Sequence, residues 1–220
     1  MRMKADMEIV TGFIGAGKTS FINALIQDTL INNEKVVIIQ CEAGQVQIEE
    51  NLQKDKRITI KSCTHEKLFT IGYIKYILDL HRPHRLIIEF NGTWIINSLL
   101  ASLQNNDLKN RCKLTTVFHI TDVTTFDLYL NNMGIMLLPS IKLSNLILLN
   151  NTDAINKQKL EEIRYKIKNL NSYAHILNVK NTGVFKATLK QANILDKGFL
   201  KKFRIYMKNF LFKQINSWGD

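Results

Sequence analysis

Gly12-Phe13-Ile14-Gly15-Ala16-Gly17-Lys18-Thr19 decides the fold, because it meets the pattern G-x-x-x-x-G-K-[ST] between a β-type run and a helical one. On its amino side Met7-Glu8-Ile9-Val10 reads as a strand. On its carboxyl side Phe21, Ile22, Leu25 and Ile26 recur on one face of a helix expected to fade near Asn32-Asn33. Strand, glycine-rich turn and helix in that order form a phosphate-binding loop. Gly12, Gly15 and Gly17 permit turns that a Cβ forbids, so successive N–H groups, that of Ala16 included, can converge on an anion. The helix opening near Lys18 directs its positive end at the same point. Lys18 is expected to bridge the β- and γ-phosphates and the Thr19 hydroxyl to complete the shell of a Mg²⁺ ion, with Ser20 a further hydroxyl.

Working outward, Lys35-Val36-Val37-Ile38-Ile39-Gln40, an apolar β-branched run, reads as a strand buried on both faces. The polar, acidic stretch 41–56 follows as a loop with a helical turn, then a short strand at Ile58-Thr59-Ile60. Leu68, Ile71, Ile74, Ile77 and Leu78 mark a helix, and Leu86-Ile87-Ile88-Glu89 a third buried strand. Thr115 to Ile120 and Leu146 to Leu149 are further strands, ending at Asp122 and at Asn150-Asn151-Thr152-Asp153; a helix over Lys157 to Leu170 and a strand near His175 to Val179 follow. Strands separated by helices imply a doubly wound, mostly parallel α/β sheet, with ligands gathering beyond the carboxyl ends of the strands. The polar residues just named all fall at that edge.

The bulk numbers fit one domain of 220 residues with 45% hydrophobic composition. No apolar run approaches the ~18 residues that span a bilayer, and the first residues lack a secretory stretch, so a cytoplasmic protein is expected. Three cysteines, Cys41, Cys63 and Cys112, are too few and too scattered for a disulfide framework. A net charge of +11 favours anionic partners without selecting among them. Residues 196–220 space Phe199, Phe203, Tyr206 and Phe210 among lysines, which reads as a basic amphipathic helix packed on the same domain, residues 1–195, rather than as a membrane or RNA arm.

The motifs together resemble the CobW/HypB/UreG family of P-loop GTPases, of the SIMIBI type, and within it the CobW-like branch. The resemblance covers roughly residues 7 to 185. Gly12 to Thr19 is similar to the family's GFxGxGKT loop. Cys41-Glu42-Ala43-Gly44 stands where the branch has Asn-Glu-Phe-Gly in its first switch, which implies Glu42 as a magnesium or water ligand. Glu89-Phe90-Asn91-Gly92 resembles the segment Glu-x-Ser/Thr-Gly, implying that Glu89 acts near Mg²⁺ and that the Gly92 N–H senses the γ-phosphate. Asn150-Asn151-Thr152-Asp153 resembles the guanine-reading Asn-Lys-x-Asp, and Asn171-Ser172-Tyr173-Ala174 the branch's Asn-Pro-x-Ala. A carboxylate at Asp153 would accept the N1–H and N2–H₂ donors of guanine, a pair adenine lacks, so GTP is expected over ATP. Asn151 stands where the family has the lysine that packs under the base, so weakened affinity or relaxed base choice is expected.

The branch usually carries Cys-x-Cys-Cys after the strand that follows the first switch; here the segment is Cys63-Thr64-His65-Glu66. Cys63, His65 and Glu66, with Cys41 from the switch, are competent ligands for Zn²⁺ or another divalent transition metal, although a structural thiol beside a helix-start histidine accounts for them equally. Members of the branch commonly carry a C-terminal domain beyond the core, and the single amphipathic helix of residues 196–220 is expected in its place here. The resemblance therefore implies a slow GTPase switch, with GTP and Mg²⁺, in metal delivery or in activation of a metalloenzyme or corrinoid protein client. Lys18, Glu42 and Glu89 would be its catalytic residues, and a partner or homodimer would complete the site. Two alternatives are a nucleotide-gated interaction protein without metal and an ATP-dependent small-molecule kinase; nucleic acid is not an expected partner.

Overall fold

The computed structural model describes residues 4–192. The basic helix expected over 196–220 lies outside the described residues. The chain runs β1 (Ala5–Thr11), α1 (Lys18–Thr29), β2 (Val36–Gln40), α2 (Glu50–Gln53), β3 (Ile58–Ser62), α3 (Ile71–His81), β4 (Arg85–Glu89), α4 (Ile96–Leu103), α5 (Asn106–Lys109), β5 (Cys112–Asp122), α6 (Phe126–Leu143), β6 (Leu146–Asn150), α7 (Lys157–Leu170), β7 (His175–Asn178) and α8 (Phe185–Gln191). The seven strands form one sheet in the order β3-β2-β4-β1-β5-β6-β7, and every neighbouring pair is parallel. The order reverses direction at β1, so the glycine-rich loop leaves the sheet near its centre, where crevices open in doubly wound folds.

Alternation along each strand sorts the core into two faces. Val10, Ile38, Ile87, Phe118 and Leu148 face α1 and α8. Met7, Ile9, Ile39, Ile88 and Val117 face α3 and α4, and Ile147 and Leu149 face α6 and α7. Because both faces are covered, the strands carry continuous apolar runs, and those runs made them legible in the sequence.

Several boundaries differ from the sequence reading. The helix after Cys63 opens at Ile71, because the Thr70 hydroxyl accepts the Tyr73 N–H at 3.1 Å and caps it there. Leu68 instead ends a 3₁₀ turn over Glu66–Leu68 and is exposed. Strand β5 is longer than its apolar centre, with Cys112 buried at its start and the Cys112 Sγ 3.5 Å from Leu108 O. Helices α4, α6 and α8 were not anticipated. Among the described residues no helix is long and apolar enough to cross a membrane.

Candidate functional site

The loop Gly12 to Thr19 sits at the carboxyl ends of the central strands. Gly12, Gly15 and Gly17 all have positive φ, at 139°, 78° and 104°. At Gly12 the requirement is also steric, since a Cβ would lie 2.1 Å from Ile120 O. Gly17 stands at the amino end of α1, whose first residues, Lys18 and Thr19, are buried under the loop.

Lys18 is the electrostatic centre. Its Nζ donates to Gly12 O at 2.8 Å and to Phe13 O at 2.9 Å, and pairs with Glu42 Oε2 at 2.5 Å. With Lys18 only 3% exposed, the pair is shielded from water and strengthened accordingly. Glu42 thus lies on the lysine, close enough to Glu89 for the two carboxylates to repel. The Thr19 hydroxyl donates to Glu89 Oε1 at 2.5 Å, and Gln40 Nε2 donates to Glu89 Oε2 at 2.8 Å. Burial pushes the Glu89 carboxyl up, against the Thr19 and Gln40 hydrogen bonds and the Lys18 charge, which favour its ionised form. A hydroxyl and a buried carboxylate in contact form a hard-oxygen donor set, which fits a Mg²⁺ ion.

Gly92 reaches the loop from the end of β4. A Cβ there would lie 2.2 Å from Gly12 O, so the backbone of the Glu89-to-Gly92 segment is pressed against the phosphate loop. Asn91 turns this segment, its Oδ1 accepting the Thr93 N–H at 2.9 Å, while its Nδ2 lies 3.4 Å from Cys41 O.

The base-reading segment divides. Asn150 is fully buried and its Nδ2 donates to Ala16 O at 3.0 Å, so it braces the phosphate loop; its buried Oδ1 has no partner among the described residues. Asn151 adopts a left-handed conformation, φ 61°, and donates to Asp122 Oδ2 at 2.8 Å. Asp153 is exposed on a 3₁₀ turn, its Oδ2 3.5 Å from Asn181 Nδ2, and α7 is capped by Asn156, whose Oδ1 accepts the Lys159 N–H at 2.8 Å. Ser20 is half-buried behind Thr19.

The cysteines meet only in part. Cys41 and Cys63 continue the β2–β3 pairing by one residue past Gln40↔Ser62, and both are buried. Burial first, then the neighbouring Cys63, Glu89 and Glu42, pushes the Cys41 thiol far above its ordinary range; burial also raises Cys63. His65 and Glu66 are exposed on the turn that follows. Among the described residues no three Cys, His, Asp or Glu side chains stand close enough to hold a metal ion, so the set Cys41, Cys63, His65 and Glu66 is not assembled here.

Sequence reasoning placed Asp122 at the ligand edge without a role, and missed Gln40 and Tyr129. Gln40 announces itself only as a polar residue ending an apolar strand. Tyr129 stacks on Phe13 at 4.1 Å beside a cleft of 230 Å³ bounded by the loop, Asp122 and Thr125; nothing local in sequence brings α6 to residue 13.

A family model described as the CobW/HypB/UreG nucleotide-binding domain matches residues 6–178. Zinc-regulated GTPase metalloprotein activator 1 of Schizosaccharomyces pombe is 25% identical over 183 residues, covering 77% of this chain and 44% of that protein. Among solved structures, Zn(II)-bound YjiA GTPase from E. coli aligns with a TM-score of 0.59 at 22% identity, covering 79% of this chain and 57% of that one. The hydrogenase maturation factor HypB from Archaeoglobus fulgidus aligns with a TM-score of 0.54 at 17% identity, covering 87% and 91%. The likenesses to solved structures establish the fold. The chain spans about half the length of the curated relatives it matches.

Proposed function

The chain belongs to the CobW/HypB/UreG nucleotide-binding family, and on that premise we propose that it binds GTP with Mg²⁺ and hydrolyses it slowly as a switch in handling a divalent metal. The observation that carries this reading is the Lys18–Glu42 pair at the head of a phosphate cradle, 2.5 Å long and buried. A phosphate entering the loop competes with Glu42 for the lysine, and Glu42 is covalently next to the thiol-bearing Cys41. Phosphate binding therefore pulls on the segment that carries a candidate metal ligand.

In the nucleotide complex Lys18 and the loop N–H groups stabilise charge developing on the γ-phosphate. Thr19 and Glu89 would hold Mg²⁺, which supplies further neutralisation of that charge when bound. Glu42, released from Lys18, is the base or water-orienting group nearest the reaction. Asp153 selects guanine by accepting its two edge donors, and the bond between Asn150 and Ala16 keeps the base-reading segment in register with the phosphates. The relatives' names support zinc as the metal: the Schizosaccharomyces pombe protein is called zinc-regulated, and the YjiA structure is Zn(II)-bound. The client is a metalloprotein or a corrinoid protein, and hydrolysis is completed by a partner or a second copy of the chain.

Nucleotide titration and turnover of Lys18→Ala test the reading. The variant is expected to lose GTP binding by more than about a hundredfold, with GTP preferred to ATP in the unaltered chain. A Lys18→Ala protein that turns over GTP normally, or an unaltered chain that prefers ATP, sinks it.

A second reading, a nucleotide-gated interaction protein without metal, is favoured by the exposed, unassembled His65 and Glu66. Zinc content of the GTP-loaded chain distinguishes the two. Retention above the level of a Cys63→Ala/His65→Ala variant supports metal handling, and equality supports the alternative.

A further inference from the structure

The end of the sheet opposite the phosphate loop is basic. A cation precedes each of the first five strands: Lys4 before β1, Lys35 before β2, Arg57 before β3, Arg82 before β4 and Arg111 before β5. In an all-parallel sheet these entries share one edge, so the topology gathers cations that are far apart in sequence. β4, β1 and β5 are neighbours, and at their entries, beside the end of α3, lies a cleft of 350 Å³. Lys4, Arg82, His84 and Arg111 supply its polar lining, and Ala5, Leu78 and Pro83 its apolar lining.

We propose that this cleft is a docking site for an acidic peptide segment of a protein partner, separate from the nucleotide site. Lys4 and Arg82 are exposed and have no carboxylate partner among the described residues. Arg111 is held by Asp79 at 3.0 Å, which fixes its guanidinium at the cleft. His84 Nδ1 accepts the Lys35 N–H at 3.0 Å, so a neutral ring carries its proton on Nε2 as a further donor.

The chemistry of the lining selects among anions. Phosphate sites are commonly built from converging backbone N–H groups. Here those groups are spent: Ala5 N–H on Arg111 O, Asp6 N–H on His84 O, Arg82 N–H on Leu78 O, His84 N–H on Lys35 O and Arg111 N–H on Leu108 O, all at 2.8–3.1 Å. Recognition of charge falls to long side chains, which suit carboxylates spaced along an extended peptide. The apolar lining takes an aliphatic residue between two such carboxylates. A nucleic acid is disfavoured on two counts. The lining holds no Phe, Tyr or Trp for a base to stack on, its one aromatic ring being the small His84 imidazole tied to the Lys35 N–H, and the ion pairs Lys113–Asp6, Arg111–Asp79 and Lys75–Asp107 interrupt the cations with carboxylates that a continuous phosphate backbone would have to pass. A peptide needs only two or three of the cations. The net charge of +11 steers it in.

The test is fluorescence anisotropy of a labelled peptide alternating Glu and Leu, titrated with the full chain at roughly 0.15 M salt. Lys4→Glu/Arg82→Glu is compared with Lys67→Glu/Lys157→Glu, which changes net charge equally at exposed positions elsewhere. The cleft variant is expected to weaken peptide binding about tenfold or more while GTP affinity stays within about twofold, and the control to change it by less than about twofold. No binding by the unaltered chain, or equal losses in both variants, overturns the proposal. So does a single-stranded RNA or an anionic vesicle that outcompetes the peptide and loses binding with the same cleft substitutions.

Discussion

With Lys18 buried and held by Gly12 O, Phe13 O and Glu42, an incoming phosphate meets an ammonium that is already neutralised. Its binding energy is spent partly on displacing Glu42. Glu42→Gln keeps the shape and removes the competing charge, so GDP affinity without Mg²⁺ is expected to rise by about fivefold in a calorimetric titration. Weaker binding would mean that Glu42 helps the nucleotide rather than excludes it. His119 presents the opposite case, a group that must stay neutral. It lies on β5 beside the loop, 1% exposed, with its Nδ1 3.3 Å from Ser140 Oγ. Burial, and then the Lys18 charge, lowers its pKa from 6.5 to about 3. The unfolded chain takes up the proton below pH 6.5 and the folded chain does not, so His119 leaves stability intact above 6.5 and drains it as pH falls toward 3. The slope is on the order of 1.4 kcal/mol per pH unit. Chemical denaturation of the unaltered chain between pH 7 and 4 is expected to show this fall, and His119→Gln a flatter profile. Identical profiles would assign acid lability to other groups.

The element that joins the nucleotide to the cysteine segment is the stretch after β4. Gly92 is pressed on the phosphate loop, and two residues later Trp94 packs against Phe90 at 5.7 Å and Phe69 at 5.8 Å, with Phe69 following the Cys63-to-Glu66 turn. On the proposed function, a displacement of Gly92 by the γ-phosphate would be passed to that turn through close-packed rings. In a chain with Trp218→Phe, Trp94 emission is expected to differ between the GDP complex and a non-hydrolysable GTP complex; coincident spectra would break the link. This aromatic contact was invisible in the sequence, because its partners come from two separate loops. The same contrast runs through the other elements. β2, β4 and β6 were legible because burial on both faces demands unbroken aliphatic runs, and α7 because its exposed face keeps a helical period. α6 was hidden by its own content. Gly134 and Pro139 read as breakers, and the helix does leave helical geometry at Met133, φ −131°, yet packing of Leu137 and Ile141 carries it through. The phosphate loop was legible to the residue, since its glycines answer to local backbone geometry. Asn150 was legible in place, while its bond to Ala16 was not: that contact joins residues 134 positions apart.

Among the described residues, charge is distributed unevenly between the two ends of the strands. Cations collect where the strands begin, while Glu42, Glu89, Asp122 and Asp153 gather around the loop where they end. At that carboxyl edge two candidate ligand systems share a backbone: Glu42 on Lys18, and Cys41 beside Cys63. On the proposed function, a state in which phosphate has displaced Glu42 would be free to reposition Cys41 and to offer a carboxylate together with two thiols, which the Lys18-bound state withholds. Linkage then makes a strict demand. If a non-hydrolysable GTP analogue tightens Zn²⁺ binding by some factor, Zn²⁺ must tighten binding of that analogue by the same factor, expected within about 5- to 150-fold. Chelator competition with and without nucleotide measures one arm, and nucleotide titration with and without Zn²⁺ the other. Because Glu42 is the element both ligands bias, Glu42→Gln is expected to bring both factors toward one without abolishing either binding. Coupling that survives in Glu42→Gln would move the switch away from the Lys18–Glu42 pair, and the Gly92-to-Phe69 contact would then be the remaining route between the two sites.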